Sequence, residues 1–209
     1  MTRIIGHKGA AALAPENRAQ AFTLAGKIGA DGVELDVRRG PDNRLVVWHD
    51  PTLPSGLSLR TSPWTDLRDD VDELATVLDA SAGLDPVNVE IKNNPAEDDF
   101  DADHTITADV ADLLATRPLP EQDALLVSCF DLDTLNAARR HLDRVAPQVA
   151  TGWLVLFVID VDQVVKPAVD NGHRALHPHH SSVTPELIAA AHAHGLTVNC
   201  WTCNDPDRI

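Results

Sequence analysis

The chain predicts a parallel β/α barrel, and three observations carry that prediction. Short apolar runs alternate with helical stretches, no glycine-rich phosphate loop follows any run, and titratable residues gather at the ends of the first four runs. Strand-then-helix repetition argues for a parallel sheet with helices outside it. The lack of a glycine-rich loop favours a closed barrel over an open, doubly wound sheet. No linker or shift in composition divides residues 1–209, so one domain is expected.

The elements follow in order. Arg3 to Gly6 is apolar and ends at His7-Lys8-Gly9. Asn17 to Ile28 sets Ala19, Phe22, Leu24, Ala25 and Ile28 at near-helical spacing, with Gly29 as the stop. Gly32 to Val37 and Leu45 to Trp48 read as strands, the second ending at His49-Asp50. Pro51 to Pro63 is rich in Pro, Ser and Gly and reads as a long loop suited to cover a site. A helix is expected over Val71 to Leu78, then a strand over Val87 to Ile91. Helix Ile106 to Ala115 leads to strand Ala124 to Val127, and helix Asp133 to His141 to the apolar run Trp153 to Ile159. Val164 to Val169 reads as helix and Arg174 to Leu176 as a short strand before His177. Pro185 to His194 has a proline in its first turn and Gly195 past its end, and Leu196 to Trp201 is the last strand-like run.

Composition sets bounds. With 209 residues and 44% hydrophobic content, the chain can bury a sizeable core. A net charge of −15 repels nucleic acid and anionic membrane, so a phosphate-bearing substrate needs a local cationic centre. A bound divalent metal supplies one without a basic patch. No apolar run reaches membrane-spanning length, and the N-terminus lacks the apolar core and cleavage site of a signal peptide. Three cysteines make no disulfide framework, which points to the cytoplasm. Cys200 and Cys203 have no second pair to complete a zinc site and read as ordinary buried thiols.

The chemistry lies at the strand ends: His7; Glu34 and Asp36; His49 and Asp50; Glu90 and Lys92. Side chains two apart on a strand share a face, so Glu34 pairs with Asp36 and Glu90 with Lys92. In a parallel barrel these ends converge on one mouth. Three carboxylates gathered there repel one another and lose solvent, and a hard divalent cation relieves both costs. Other readings stand beside this one. Val33-Glu34-Leu35-Asp36-Val37-Arg38 also fits an antiparallel strand with a wet face, Glu90 and Lys92 an exposed ion pair, and a lone histidine a structural role. The shared position of all four clusters, on consecutive β/α units, favours a site.

These residues resemble a known family. His7-Lys8-Gly9, Pro15-Glu16-Asn17, Gly29-Ala30-Asp31-Gly32-Val33-Glu34-Leu35-Asp36-Val37, Val46-Val47-Trp48-His49-Asp50 and Val89-Glu90-Ile91-Lys92 look like the glycerophosphodiester phosphodiesterases in order and spacing. Fainter likeness continues in Ser128-Cys129-Phe130 and Trp201-Thr202-Cys203-Asn204. The resemblance implies a TIM-type barrel that hydrolyses glycerophosphodiesters, within lipid metabolism, to glycerol phosphate and an alcohol. It implies that Glu34, Asp36 and Glu90 hold one Mg²⁺ or Ca²⁺ and that His7 and His49 act as general acid and base. Lys8, Lys92 and Trp201 are then the expected substrate contacts. The expected partner is a small phosphodiester, with no nucleic acid and no stable membrane insertion; self-association is left open.

The sequence departs from that family in two places. Lys8 stands where the family usually has Arg, keeping the charge but losing the bidentate fork. The chain also stops at Asp205-Pro206-Asp207-Arg208-Ile209, where family members continue with a helix and a closing strand. A barrel lacking that strand and helix is therefore expected, with residues after Ile209 or a partner over the gap. Of the remaining candidates, His177, His179 and His180 read as a solvated loop, and Trp201 and Phe130 as mouth-lining or core residues.

Overall fold

The computed structural model describes residues 2–205. In chain order the elements are β1 (Ile5–His7), α1 (Ala19–Lys27), β2 (Gly32–Arg39), β3 (Leu45–Val47), α2 (Trp64–Leu67), β4 (Asp72–Glu73), α3 (Leu74–Ala80), β5 (Val87–Ile91) and α4 (Thr105–Ala115). They continue with α5 (Leu119–Gln122), β6 (Leu125–Cys129), α6 (Leu132–Val145), β7 (Ala150–Val155), α7 (Asp162–Asp170), β8 (Ala175–Pro178), α8 (Pro185–Ala193) and β9 (Thr197–Val198).

Strands β1, β2, β5, β6, β7, β8 and β9 lie side by side in that order, all parallel. This is the TIM-type β/α barrel, with no hydrogen bonds joining β9 to β1 among the described residues. The expected stop at Asp205-Pro206-Asp207-Arg208-Ile209 lies, past Asp205, outside the described residues. Every residue of β2, β5 and β6 is buried, as befits parallel strands covered on both faces. On β2, Val33, Leu35 and Val37 turn outward and pack against Phe22 and Ala25 of α1 and Leu74 and Val77 of α3. Each such side chain contributes roughly 1.5–3 kcal/mol on burial. The alternate positions Glu34, Asp36 and Arg38 face the other way, which fixes where the polar groups must gather.

The run ending at His49 departs from expectation. β3 pairs antiparallel with β2, Val37 opposite Val47, and β4 adds antiparallel to β3. Only Gly40 to Arg44 separate β2 from β3, too few for the crossover a parallel pair requires. His49 therefore reaches the mouth from a hairpin, whereas the other clusters stand on parallel strands. The hairpin also explains why α3 starts at Leu74: Asp72 and Glu73 are held by β3. In the loop that follows β3, Leu53 and Leu59 are buried against Val46, Leu67 and Val71.

Three other expectations change. β7 stops at Val155, leaving Leu156, Phe157 and Ile159 exposed in the following loop. Cys200 is exposed and Cys203 half-buried, because β9 ends before them; only Cys129 is buried. His177 is buried on β8, against the Cα of Gly152, where a Cβ would approach its Nε2 to 2.5 Å. No described helix is long and apolar enough to cross a membrane.

Candidate active site

The turn after β1 starts the site. Lys8 and Gly9 have φ of 56° and 76°, and the Gly9 N–H bonds back to the Gly6 carbonyl at 3.2 Å. A Cβ on Gly9 would sit 2.8 Å from the Ala21 carbonyl carbon, so the turn needs glycine there. This reversal turns the Lys8 N–H onto Glu34 Oε2 at 3.1 Å.

Register brings the acids together. Asp36 of β2 lies opposite Glu90 of β5, with Glu34 two residues earlier on the same face. Their ligand oxygens all lie within 4.8 Å of one another. Burial, and then repulsion from Asp36 and Glu90, raises the Glu34 pKa well above the carboxylate norm. Burial raises Glu90 as well, against the opposing pull of Lys92. For Lys92, burial works downward but Glu90 and Asp36 outweigh it and the pKa is raised; its Nζ is 2.7 Å from Glu90 Oε1 and 3.7 Å from Asp36 Oδ1. One oxygen remains unsatisfied: Glu34 Oε1 is buried with no hydrogen-bond partner. Three adjacent buried carboxylates, one with a lone pair unused, fit a hard divalent cation.

Two imidazoles flank the acids. His7 Nε2 lies 3.7 Å from Glu34 Oε2, and burial lowers its pKa against the opposing charge of Asp36. His49 Nε2 lies 3.2 Å from Lys92 Nζ, and its Nδ1 lies 2.7 Å from Asp50 Oδ1. An ammonium can only donate, so Nε2 accepts and Nδ1–H donates to Asp50; this tautomer is assigned from its partners. The same contact lowers the Asp50 pKa.

His7, Glu34, Asp36, His49, Glu90 and Lys92 thus meet at one place. The Lys8 ammonium instead pairs with Glu16 at 3.2 Å. Trp201 stands at the mouth beyond β9, its indole N–H donating to the His177 carbonyl at 2.8 Å and its ring set edge-on to Phe130 at 5.4 Å. A cleft of about 350 Å³ lies beside Glu90 and Lys92, between Asn94, Pro95 and Glu97 of the loop after β5 and Phe130 and Asp131 after β6. Sequence reasoning gave no role to Asn17, Arg38 or Asp50. Asp50 had a signal in adjoining His49, and Asn17 in the Pro15-Glu16-Asn17 motif; Arg38 had only its place on the Glu34 and Asp36 face.

The chain as a whole is similar to known proteins. The sequence profile of the glycerophosphoryl diester phosphodiesterase family matches residues 7–209. Among curated relatives, the chain is 28% identical over 228 residues to uncharacterized protein YqiK of Bacillus subtilis, covering 100% of this chain and 89% of that protein. It is 25% identical to a glycerophosphodiester phosphodiesterase of Caldanaerobacter subterraneus, covering 96% and 85%. Among solved structures, a glycerophosphodiester phosphodiesterase from Thermotoga maritima superposes with TM-score 0.76 at 26% identity, covering 100% of this chain and 89% of that one. An Oleispira antarctica phosphodiesterase in complex with the product sn-glycerol-3-phosphate gives 0.81 at 23% identity, covering 100% and 87%. On a profile match that runs from His7 to the last residue, this chain belongs to the glycerophosphoryl diester phosphodiesterase family.

Proposed function

We propose that the chain hydrolyses glycerophosphodiesters to glycerol phosphate and an alcohol. In this reading Glu34, Asp36 and Glu90 hold one divalent cation, Mg²⁺ or Ca²⁺, and His7 and His49 move the protons. The observation that carries it is the unpartnered Glu34 Oε1 within a buried triad of carboxylates flanked by two imidazoles. The cation, when bound, neutralises charge on the phosphoryl oxygens. Lys92 adds a fixed positive charge beside it. His49 Nε2 accepts from Lys92 while Asp50 steadies Nδ1–H, so His49 suits the general base once Nε2 exchanges Lys92 for the substrate or, once protonated, the acid. His7 takes the complementary role from the Glu34 side. Lys8 and Trp201 are the outer substrate contacts.

The test uses glycerophosphocholine as substrate. Glycerol phosphate release is expected with Mg²⁺ or Ca²⁺ and none with excess chelator, and His49→Ala should lower the rate by ~10²–10⁴-fold. Turnover insensitive to chelator, or to His49→Ala, refutes the reading. A non-catalytic binding barrel predicts no turnover with wild type at all.

A second reading is a phospholipase D-like reaction on lysophospholipid or sphingolipid. The loops following β6 and β7 favour it, because they leave Phe130, Phe157 (69% exposed) and Ile159 (98% exposed) beside the mouth. Lysophosphatidylcholine hydrolysis that Phe157→Ser and Ile159→Ser suppress, with glycerophosphocholine turnover intact, would select it. The reading retains a cytoplasmic setting.

A further inference from the structure

We propose that Arg38 is a positioning residue that holds His49 against the carboxylate cluster; this rests on the proton-transfer role assigned to His49 above. Arg38 is an arginine with 1% of its surface exposed, next on the inward face of β2 after Glu34 and Asp36. Its Nε–H donates to the His49 carbonyl oxygen at 2.7 Å. Its Nη1 lies 3.0 Å from Asp99 Oδ2 and 2.8 Å from Glu97 Oε2, both on the loop that leaves β5. The guanidinium therefore joins the segment that follows β3 to the loop that leaves β5.

His49 needs such an anchor. β3 ends at Val47, and the last rung to β2 is the Trp48 N–H on the Asp36 carbonyl at 3.0 Å. Past that rung, Arg38 fastens the main chain of His49 to the strand that carries Glu34 and Asp36. The ring of His49 is fastened separately, through Nε2, to Lys92 on the strand end that carries Glu90. His49 is thus located from β2 by its backbone and from β5 by its ring. A buried ion pair of this kind is weak evidence for stability, since apolar replacement is often neutral or better. Placement accounts better for a charged fork at this spot, because a guanidinium can hold the His49 carbonyl and the Asp99 carboxylate at fixed angles while Glu97 adds only its charge.

The experiment uses Arg38→Lys, Arg38→Met and the loop pair Glu97→Gln with Asp99→Asn, all in the full chain with the divalent cation present. Two readouts are taken: kcat and KM for glycerophosphocholine, and the imidazole ¹H–¹⁵N signals of His49, assigned by their loss in His49→Ala. Misplacement by a fraction of an ångström should lower kcat by about 10–100-fold in Arg38→Lys, with KM within about threefold. The His49 signals should move while those of His141 and His173, remote from the mouth, stay in place. A charge-only or packing role predicts rescue by Lys or Met respectively. A folded Arg38→Lys with wild-type kcat and unmoved His49 signals overturns the proposal. If both Arg38 variants fail to fold, the loop pair decides, since its partly exposed side chains can be neutralised without emptying the core; unmoved signals there overturn it equally. Wild-type protein without turnover would defeat the proposed function, and the His49 signals would still decide the place of Arg38.

Discussion

Asn17 and Asp36 clasp each other across 19 positions of chain: the Asn17 side-chain amide donates to Asp36 Oδ2 at 2.8 Å, and the Asp36 backbone N–H donates to Asn17 Oδ1 at 3.3 Å. Asn17 is 1% exposed and has φ of 58°, a left-handed conformation that asparagine tolerates better than most residues. The clasp uses one carboxylate oxygen and leaves Oδ1 facing Lys92 and the acids. Outer groups that orient a ligand are typically worth about 10–100-fold in affinity or activity. Asn17→Ala should therefore raise the Mg²⁺ or Ca²⁺ concentration at half-maximal activity by about that factor. Cation binding measured by calorimetry should weaken in parallel; unchanged binding would remove Asn17 from the site.

Asp50 bonds the proton on Nδ1 of His49 and is itself largely exposed, so solvent screens its charge. Asp50→Asn should leave the ring held but favour the imidazolium less. A rate loss of about tenfold is expected, well short of the ~10²–10⁴-fold for removing a proton-transfer group. The comparison is a steady-state assay of Asp50→Asn beside His49→Ala. Equal losses would mean that Asp50 takes part more directly than its exposure allows.

Much of this arrangement was legible in the sequence. Alternation placed Glu34 with Asp36 and Glu90 with Lys92, and the strand-end rule then named the mouth, because both inferences depend only on period and direction. The course of β3 was not legible, because apolar content in Leu45 to Val47 is the same for either direction; only the short Gly40 to Arg44 connection held the answer. His177 was misread for a related reason. A histidine after a short strand looks solvated, yet β8 continues through Pro178 and buries it. Arg38 illustrates the remaining limit: a charge on an inward face needs partners, and its partners Glu97 and Asp99 lie 61 or fewer residues away in a loop without periodicity.

Lys8 offers a test of how much an arginine fork would add. Its ammonium is paired with Glu16, whose side chain is 51% exposed, so the pair can open to a phosphate at little cost. Lys8→Arg should keep activity, with KM equal or lower, since the guanidinium can contact two phosphate oxygens at once. Steady-state kinetics on glycerophosphocholine checks this, and a dead variant would count against a phosphate contact at this position.

His177 ties stability to pH. Burial holds its pKa down to about 4, against the usual 6.5, and its Nε2 meets the Asn199 side-chain amide at 3.1 Å. The folded chain thus keeps a neutral ring where the unfolded chain takes up a proton. Above pH 6.5 neither state is protonated and stability is intact; between 6.5 and about 4 the unfolded state binds the extra proton and stability falls. At 1.36 kcal/mol per pKa unit, the loss approaches roughly 3 kcal/mol. In metal-free protein Glu34 and Glu90 act in the opposite sense, because raised carboxyl pKa values make acidification stabilising. Comparing wild type with His177→Gln cancels that contribution. Urea midpoints measured from pH 7.5 to 4.5, with chelator present, should converge as pH falls, the variant losing less. Parallel curves for the two proteins would show that the imidazole is protonated in the folded state or lies open to water.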